Sequence, residues 1–261
     1  MPKTALITGG SSGLGLALAR ELSERGYSLA LLARDSERLE RAVGVIRDAG
    51  GAAEGFQCDI RDEAGLRRVG MKIKEHFGGI DFLVLNAGVV TPGLLEDFKS
   101  GGELKTDLET NLWGTILCSH VFLPLLAPGG RLLMISSGFG LVGPAGYAVY
   151  AASKAGMIAF AESLRREILH RSIAVHVACP GDMLTPQYEK ELADSPAWMR
   201  KKAPRGLLSP ETAARRILKK CSRGRFLIVI NPEVFILQLV TRLLPRRLRD
   251  SLLDRVLPRP G

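Results

Sequence analysis

Cysteine is scarce in this chain of 261 residues, and its four cysteines are scattered without a CxxC pair. This spacing argues against a disulfide framework and predicts reduced thiols, as in a cytoplasmic protein. No signal peptide is expected, because a strand-like segment and a glycine-rich loop already occupy residues 3–10. No apolar run reaches the roughly 18 residues of a membrane-spanning helix. The four histidines share no ligand spacing, so we expect no metal site.

Basic residues are concentrated near the end of the chain. Residues 197–261 contain 16 Lys and Arg against 4 Asp and Glu, whereas residues 1–196 contain 20 against 23. A basic segment can contact nucleic acid or a membrane surface, or it can be a solvated face without a partner. The arginines near the end alternate with leucines rather than with stacking aromatic residues, which argues against nucleic acid.

Apolar, strand-like segments alternate with segments of helical spacing. The strand-like segments lie at residues 4–8, 28–33, 53–58, 81–86, 131–136, 173–178 and 226–230. The helical segments include Leu14–Arg25, Glu37–Ala49 and Glu63–Phe77. Strands that are apolar throughout are buried on both faces, as in a parallel sheet between two helix layers. We predict an α/β fold in which helices flank a Rossmann-like, doubly wound sheet of seven parallel strands.

The end of the chain breaks this alternation, so we expect one domain over residues 1–231 and a basic, amphipathic helical tail at 232–261. The apolar segment "EVFILQLVTRLL" at 233–244 is too short to span a membrane. Beyond Pro245, leucines at helical spacing among arginines suit a bilayer interface. The same pattern suits a helix that packs on its own domain or on a sister subunit. We expect a cytoplasmic protein, with membrane association as one alternative for the tail.

A glycine-rich loop, "TGGSSGLG" at residues 8–15, ends the first predicted strand, and a helix follows. Glycine lets the backbone turn sharply and approach a ligand closely, and the free N–H groups of a helix N-terminus suit a phosphate. The spacing G-x-x-x-G-x-G differs from the dinucleotide pattern G-x-G-x-x-G. A plain strand-to-helix turn is the alternative, but the place on the first strand of an α/β chain favours nucleotide binding.

Arg34 follows the second predicted strand, where an acidic residue would bind the ribose 2′-hydroxyl of NAD. The guanidinium of an arginine matches the geometry of a 2′-phosphate instead. Asp35 is the complication, and we interpret it as the N-cap of the next helix. The sequence therefore favours NADP(H) over NAD(H).

Tyr150 and Lys154 lie in the segment "YAVYAASK" at residues 147–154, four positions apart and thus on one face of a helix. Tyr147 is about 10.5 Å from Lys154 along such a helix, so we interpret it as a pocket or core aromatic residue. A nearby ammonium favours the phenolate and lowers the tyrosine pKa from its usual value of about 10. Tyr150 is thus a candidate general acid in a reduction and general base in an oxidation.

Several motifs occur together: the glycine loop, "NAG" at 86–88, Asn111, Ser137, the Tyr150–Lys154 pair and "PGDMLT" at 180–185. This combination resembles the short-chain dehydrogenase/reductase family over about residues 3–230. The resemblance implies an NAD(P)-dependent oxidoreductase in which Ser137 orients the carbonyl, Tyr150 transfers the proton and Asn111 holds the water of a proton relay. The implied catalytic residues are Asn111, Ser137, Tyr150 and Lys154.

The resemblance also implies the residues that bind cofactor and substrate, and an assembly. Cofactor contacts are expected from Thr8, Gly9, Ser11, Ser12, Gly13, Leu14, Gly15, Arg34, Asp59, Ile60, Asn86, Ala87, Gly88, Tyr150, Lys154, Pro180, Gly181 and Thr185. Substrate contacts are expected from Ser137, Phe139, Met183 and Tyr188, with residues 183–208 as a lid. Family members usually pair through the helices that hold Asn111 and Tyr150, which implies a homodimer or homotetramer.

The segment "PGDMLTPQYEKE" at 180–191 is similar to the corresponding stretch of 3-ketodihydrosphingosine reductases, and "LLARDSERLE" and "YAASKAG" look similar too. A hydrophobic or long-chain lipid ketone is therefore the favoured substrate. A 3-oxoacyl or steroid-like ketone is an alternative within the same reaction class. A non-catalytic dinucleotide sensor is an alternative of another class, and the presence of all four implied catalytic residues argues against it.

Overall fold

Seven parallel strands form the centre of the protein in this computed structural model, which describes residues 2–199 and 207–257. The strand order is β3-β2-β1-β4-β5-β6-β7, so the direction of chain progression reverses between β1 and β4. The strands are β1 (Thr4–Thr8), β2 (Ser28–Ala33), β3 (Ala53–Gln57), β4 (Ile80–Leu85), β5 (Leu126–Ile135), β6 (Ala174–Ala178) and β7 (Leu227–Ile228).

Helices cover both faces of this sheet. They are α1 (Gly13–Glu24), α2 (Ser36–Asp48), α3 (Glu63–Phe77), α4 (Gly101–Asp107), α5 (Gly114–Phe122), α6 (Ala148–Glu167), α7 (Pro186–Asp194), α8 (Pro210–Cys221), α9 (Pro232–Leu243) and α10 (Arg246–Val256). One apolar core lies between the sheet and α3, α5 and α6, and a second lies between the sheet and α1, α2 and α8. The predicted doubly wound architecture is confirmed.

Alternating side chains of each strand contribute to opposite cores. In β1, Leu6 belongs to the core with α3, α5 and α6, whereas Ala5 and Ile7 belong to the core with α1, α2 and α8. All three side chains are fully buried. Burial on both faces explains why the strand segments are apolar throughout.

Strand bounds differ from the prediction where pairing between strands decides them. The fifth strand was expected at 131–136, but β5 begins at Leu126, which pairs with Ile80 before a shift in register. The seventh was expected at 226–230, but β7 contains only Leu227 and Ile228, because only these two residues pair with β6. Such pairings depend on distant residues and leave no local pattern.

Residues 183–208 were expected to form a lid, and residues 200–206 of this segment lie outside the described residues. Within it, Met183 pairs with Leu208 in an isolated parallel bridge, and α7 lies between them in sequence. The hydroxyl of Thr185 accepts a 3.2 Å hydrogen bond from the Tyr188 amide and caps α7.

The tail is helical as expected, but most of its apolar side chains face solvent. Val234 of α9 is buried, whereas α10 has no buried residue. The exposed apolar side chains are Phe235, Ile236, Leu239, Leu243, Leu248, Leu252 and Val256. None of the helices in residues 2–199 and 207–257 combines the length and the apolar character needed to cross a membrane.

Candidate active site

Two adjoining pockets lie at the carboxyl ends of the central strands. One has an empty volume of about 1040 Å³, counting its open mouth, and the other about 640 Å³. Both are lined by Gly9, Ser11, Ala87 and Gly88, so together they form one elongated cleft. In doubly wound sheets this edge, at the point where strand order reverses, is where ligands bind. We call the larger part the catalytic pocket and the smaller part the adenosine pocket.

The glycine loop is held in contact with the loop that follows β4. The Asn86 amide Nδ2 donates to the carbonyl oxygens of Thr8 at 3.2 Å and Gly9 at 3.1 Å. The Thr8 hydroxyl accepts from the backbone amides of Asn86 at 3.0 Å and Ala87 at 3.2 Å. A Cβ added at Gly15 would lie 2.1 Å from the Gly9 carbonyl oxygen. Close packing of backbone on backbone therefore requires glycine at position 15.

The first turn of α1 directly follows the glycine loop, and no side chain at its N-cap accepts a hydrogen bond from its N–H groups. Ser12, the residue before α1, makes no capping hydrogen bond. Gly9 and Gly13 have positive φ angles of 65° and 52°, which aim the loop backbone into the cleft. Uncapped N–H groups at a helix N-terminus suit a phosphate group. The loop thus fits the pyrophosphate of a dinucleotide.

Two arginines, Arg34 and Arg38, and one acid, Asp35, line the adenosine pocket. The Asp35 carboxylate accepts a 3.0 Å hydrogen bond from the Arg38 amide, so its prediction as the N-cap of α2 is confirmed. Asp59 was expected to contact the cofactor, but it lines neither pocket, and its carboxylate pairs with Arg61 at 2.7 Å. That hydrogen-bonded pair also lowers the pKa of Asp59. The neighbouring Ile60 does line the adenosine pocket.

Tyr150 and Lys154 of α6 both line the catalytic pocket, as does Ser137 after β5. The Lys154 Nζ lies 5.6 Å from the centre of the Tyr150 ring and donates a 3.0 Å hydrogen bond to the Ile135 carbonyl. The Ser137 hydroxyl accepts a 3.2 Å hydrogen bond from the Phe139 amide. A hydroxyl, a phenol and an ammonium are thus brought together in one pocket.

The pKa of Tyr150 differs from the sequence-based expectation. Burial raises the pKa of Tyr150 above its ordinary value, although a hydrogen bond with Ser137 partly opposes the rise. Burial also lowers the pKa of Lys154 to about 8, and the Asp107 carboxylate opposes that fall. The expected lowering of the Tyr150 pKa by Lys154 is not seen, because the ammonium is bonded to Ile135 and the phenol is desolvated. Tyr150 is accordingly a neutral phenol at neutral pH.

Asn111 lies in a π-helical turn, Leu108–Trp113, directly before α5. It is fully buried, and it donates to the Val89 carbonyl at 2.9 Å and to the Ser153 hydroxyl at 3.1 Å. Its Oδ1 accepts from the Val89 amide at 2.8 Å. Asn111 lines neither pocket and instead ties the loop after β4 to α6.

Most residues expected to bind cofactor or substrate line the cleft. The catalytic pocket is lined by Gly9, Ser11, Ser12, Gly13, Leu14, Asn86, Ala87, Gly88, Ser137, Phe139, Tyr150, Lys154, Pro180, Gly181, Met183, Thr185 and Tyr188. The adenosine pocket adds Arg34 and Ile60. Thr8 and Gly15, the first and last residues of the glycine loop, line neither pocket and instead hold the loop backbone in place.

Sequence reasoning passed over two carboxylates at the site, Glu191 and Asp107, and did not find the partner of Tyr147. The Tyr147 hydroxyl donates a 2.6 Å hydrogen bond to Oε1 of Glu191, which lines the catalytic pocket from α7. Asp107 is buried at the end of α4, where the Thr91 hydroxyl donates to it at 2.9 Å. For Glu191, the only sequence signal was its place as an acid in "PQYEKE", which belongs to the segment similar to 3-ketodihydrosphingosine reductases. Among the residues that the structure describes, no group of three potential ligands could hold a metal ion.

Fold and cleft define a dinucleotide-dependent oxidoreductase, and comparison with known proteins agrees. A family model for short chain dehydrogenases matches residues 3–196. A 3-oxoacyl-[acyl-carrier-protein] reductase of Rattus norvegicus is 35% identical over 182 residues, covering 69% of this chain and 75% of the relative. Carbonyl reductase family member 4 of Xenopus laevis is 34% identical over 221 residues, covering 84% and 90%.

Solved structures of the same class are also similar. A short chain dehydrogenase/reductase of Burkholderia phymatum in complex with NAD has a TM-score of 0.83 at 25% identity, covering 99% of this chain and 97% of that one. A short chain dehydrogenase of Burkholderia cenocepacia J2315 in complex with NADP has a TM-score of 0.75 at 29% identity, covering 88% and 96%. The chain belongs to the short-chain dehydrogenase/reductase family. It is an oxidoreductase that uses a nicotinamide dinucleotide.

Proposed function

We propose that this protein is an NADP(H)-dependent reductase that converts the ketone of a hydrophobic, long-chain substrate into a secondary alcohol. The observation that carries the proposal is the grouping of Ser137, Tyr150 and Lys154 in the catalytic pocket, next to a glycine loop that fits a dinucleotide. A bound nicotinamide supplies the hydride for such a reduction. The residues of the chain supply the orientation of the carbonyl and the proton.

Each of the catalytic side chains has a distinct proposed role. Ser137 donates a hydrogen bond to the carbonyl oxygen and stabilises the negative charge that develops on it. Tyr150 is a neutral phenol, because burial raises its pKa, and it therefore holds the proton that the alkoxide needs. Lys154 keeps an ammonium beside the Tyr150 ring, where a developing phenolate is stabilised. Asn111 positions α6 through Ser153 and is proposed to support a proton relay.

The preference for NADP(H) rests on the adenosine pocket. Arg34 and Arg38 place two guanidinium groups there. Asp35 also lines this pocket, but its carboxylate caps α2 and pairs with Arg38 at 3.3 Å. A 2′-phosphate fits two cations better than a free ribose hydroxyl does. Both cofactors occur in similar structures, one with NAD and one with NADP, so the local charge is the discriminating feature.

The substrate class rests on the catalytic pocket and on the sequence "PGDMLTPQYEKE". Phe139, Met183 and Tyr188 contribute apolar side-chain surface to the same pocket as the polar catalytic groups. The similarity of this segment to 3-ketodihydrosphingosine reductases supports a long-chain ketone, with residues 183–208 as its lid. A 3-oxoacyl thioester is the second candidate, because several similar proteins are 3-oxoacyl-[acyl-carrier-protein] reductases.

NADPH oxidation with a panel of ketones tests this assignment. The panel contains 3-ketodihydrosphingosine, a 3-oxoacyl thioester of similar chain length and a steroid ketone, each compared by kcat/KM. The long-chain amino ketone is expected to be the best substrate. A preference for the thioester would favour the second candidate, and no turnover of any long-chain ketone would overturn the lipid assignment.

We also propose that α9 and α10 contact an anionic membrane surface. Their apolar side chains are largely exposed, and those of α10 lie among arginines, as in helices that lie in a bilayer interface. The start of α9 adjoins the catalytic pocket, because Asn231 accepts a 2.9 Å hydrogen bond from the Gly181 amide. A lipid substrate would then enter close to the surface. Sedimentation of the protein, with and without residues 232–261, with anionic and with neutral liposomes tests this proposal. The proposed homodimer or homotetramer is tested separately by light scattering.

A further inference from the structure

Glu191 places a carboxylate in the part of the cleft where the substrate is expected. It projects from α7 and lines the same pocket as Ser137 and Tyr150. Its Oε1 accepts a 2.6 Å hydrogen bond from the Tyr147 hydroxyl. Within residues 2–199 and 207–257 no cation lies within ion-pair distance of this carboxylate, and Oε2 has no hydrogen-bond donor. The side chain is therefore held by one neighbour and keeps acceptor capacity for a ligand.

The tyrosine that holds this carboxylate belongs to a cluster of aromatic rings, and two members of the cluster, Phe139 and Tyr150, line the same pocket as Glu191. The Tyr147 ring centre lies 4.7 Å from that of Phe139 and 6.3 Å from that of Tyr150. Tyr188 lines the same pocket. Aromatic faces attract an ammonium through their quadrupole, and a carboxylate pairs with it directly. The same surroundings disfavour a second negative charge, which would be desolvated next to the first.

The surroundings of Glu191 also disfavour the ionised form of its carboxylate. Burial raises the pKa of Glu191 to about 7, and the charges of Asp182 and Asp107 act in the same direction. The hydrogen bond from Tyr147 only partly opposes this rise. A cationic group beside Glu191 would favour its ionised form again, so a ligand with an ammonium gains more here than an uncharged ligand.

We propose that Glu191, oriented by Tyr147, binds an ammonium group that the substrate carries next to its ketone. Glu191 then selects amino ketones over uncharged ketones and over substrates carried on anionic groups. This inference rests on the proposed function, because it assumes that the ketone is reduced at Tyr150. Within that function it narrows the substrate class to long-chain 2-amino ketones, the chemistry of 3-ketodihydrosphingosine.

A binding measurement tests the site without turnover. Water-soluble, short-chain homologues of dihydrosphingosine and of the same diol lacking the amine are titrated calorimetrically into the protein with bound NADP⁺. The wild type is expected to bind the amine at least about 10-fold more tightly, and Glu191→Gln is expected to lose most of that preference. Gln still accepts the hydrogen bond from Tyr147, so the pocket shape is retained. Tyr147→Phe removes the orienting bond and is expected to reduce the preference by a smaller factor.

Glu189→Gln is the matched control, because Glu189 is an exposed acid on the same helix and lines no part of the cleft. It is expected to keep the full preference for the amine. Equal affinities of the wild type for the two diols, or an unchanged preference in Glu191→Gln, would overturn the ammonium site. The same comparison of kcat/KM for an amino ketone and its deamino analogue tests the proposed function separately. If neither ketone is reduced, the reductase assignment fails, while the diol affinities still decide the role of Glu191.

Discussion

The Lys154 ammonium donates a 3.0 Å hydrogen bond to the carbonyl oxygen of Ile135, the last residue of β5. This bond anchors the end of a buried strand to the first half of α6, and it directs the ammonium away from solvent. The cost of burying the charge appears in the pKa of Lys154, which falls to about 8. The buried carboxylate of Asp107 limits the fall.

Asp107→Asn is expected to move the pH dependence of catalysis. Removing the carboxylate removes the charge that favours protonated Lys154, so the lysine pKa falls further below 8. The decline of kcat at alkaline pH should then begin roughly one pH unit lower. The pH profile of NADPH oxidation measures this shift. The Asp107 carboxylate accepts from the Thr91 amide and the Thr91 hydroxyl, and an Asn can accept only one of these bonds, so thermal stability is recorded alongside.

Glu109→Gln is the control for that experiment, because Glu109 lies two residues away and pairs with Lys105 at 3.4 Å near the surface. Its pH profile should match that of the wild type. If Asp107→Asn changes only the stability and leaves the alkaline limb unmoved, Asp107 has a structural role alone.

Tyr150→Phe is expected to lower kcat by about 10²- to 10⁴-fold, since it removes the proton donor while keeping the ring. The ring still packs against Phe139, whose centre lies 6.4 Å away, so the pocket should keep its shape. Affinity for NADPH, measured by fluorescence titration, should stay within about 3-fold, because no phosphate or adenosine contact is lost. Retention of wild-type kcat by this variant would disprove the role of Tyr150.

Arg34→Ala is expected to lower kcat/KM for NADPH by about 10- to 100-fold and to leave that for NADH nearly unchanged. The guanidinium is more than half exposed and lies 3.9 Å from Asp59, so its removal leaves no buried charge unpaired. Arg41→Ala is the control, because Arg41 lies on α2, pairs with Glu37 and does not line the adenosine pocket. Equal losses with both cofactors would show that Arg34 does not read the 2′-phosphate.

Local patterns predicted those parts of the fold and site that depend on neighbouring residues. β1 and β2 have the expected bounds, because an apolar run between turn residues is a local signal. Tyr150 and Lys154 share one face of α6 because they are one helical turn apart. Asp35 caps α2 because it directly precedes that helix. The meeting of Tyr147 with Glu191, 44 positions apart, is set by how α7 docks beside α6 and has no local signature.

The electrostatics were the least predictable part of the site. Spacing placed an ammonium near Tyr150, which predicted a lowered phenol pKa, whereas burial in the folded protein raises it. Burial is a property of the packed cleft, and it depends on Phe139 and on residues of α7 as much as on α6. Three carboxylates, those of Glu191, Asp107 and Asp182, add to the rise from outside α6.

Gly15→Ala is expected to weaken the binding of NADPH, whereas Gly44→Ala is expected to stabilise the folded protein. A Cβ at position 15 would lie 2.1 Å from the Gly9 carbonyl oxygen and 2.6 Å from the Asn86 amide, so the glycine loop must move and NADPH affinity should fall at least about 10-fold. A Cβ at position 44, inside α2, meets nothing within 4 Å and should stabilise the protein by about 0.5–1 kcal/mol. NADPH titration and urea unfolding measure the two effects. Normal cofactor affinity in Gly15→Ala would contradict the close packing of this loop.

Glu191→Gln is expected to change how stability depends on pH. The pKa of Glu191 is about 7 in the folded protein against an ordinary 4.5, so the folded state binds more protons between these values. Stability of the wild type therefore falls as pH rises from about 4.5 to about 7, and the cost of the buried carboxylate is complete above pH 7.

A neutral amide at position 191 removes that cost, because it keeps the hydrogen bond from Tyr147 without a charge. The variant should equal the wild type at pH 4.5 and exceed it at pH 8 by on the order of 2 kcal/mol. Urea unfolding of both proteins at the two pH values measures the difference, and titration of all other groups cancels in the comparison. Glu189→Gln, on the exposed side of α7, should show no such pH-dependent gain. An equal difference at both pH values would mean that Glu191 does not titrate between them.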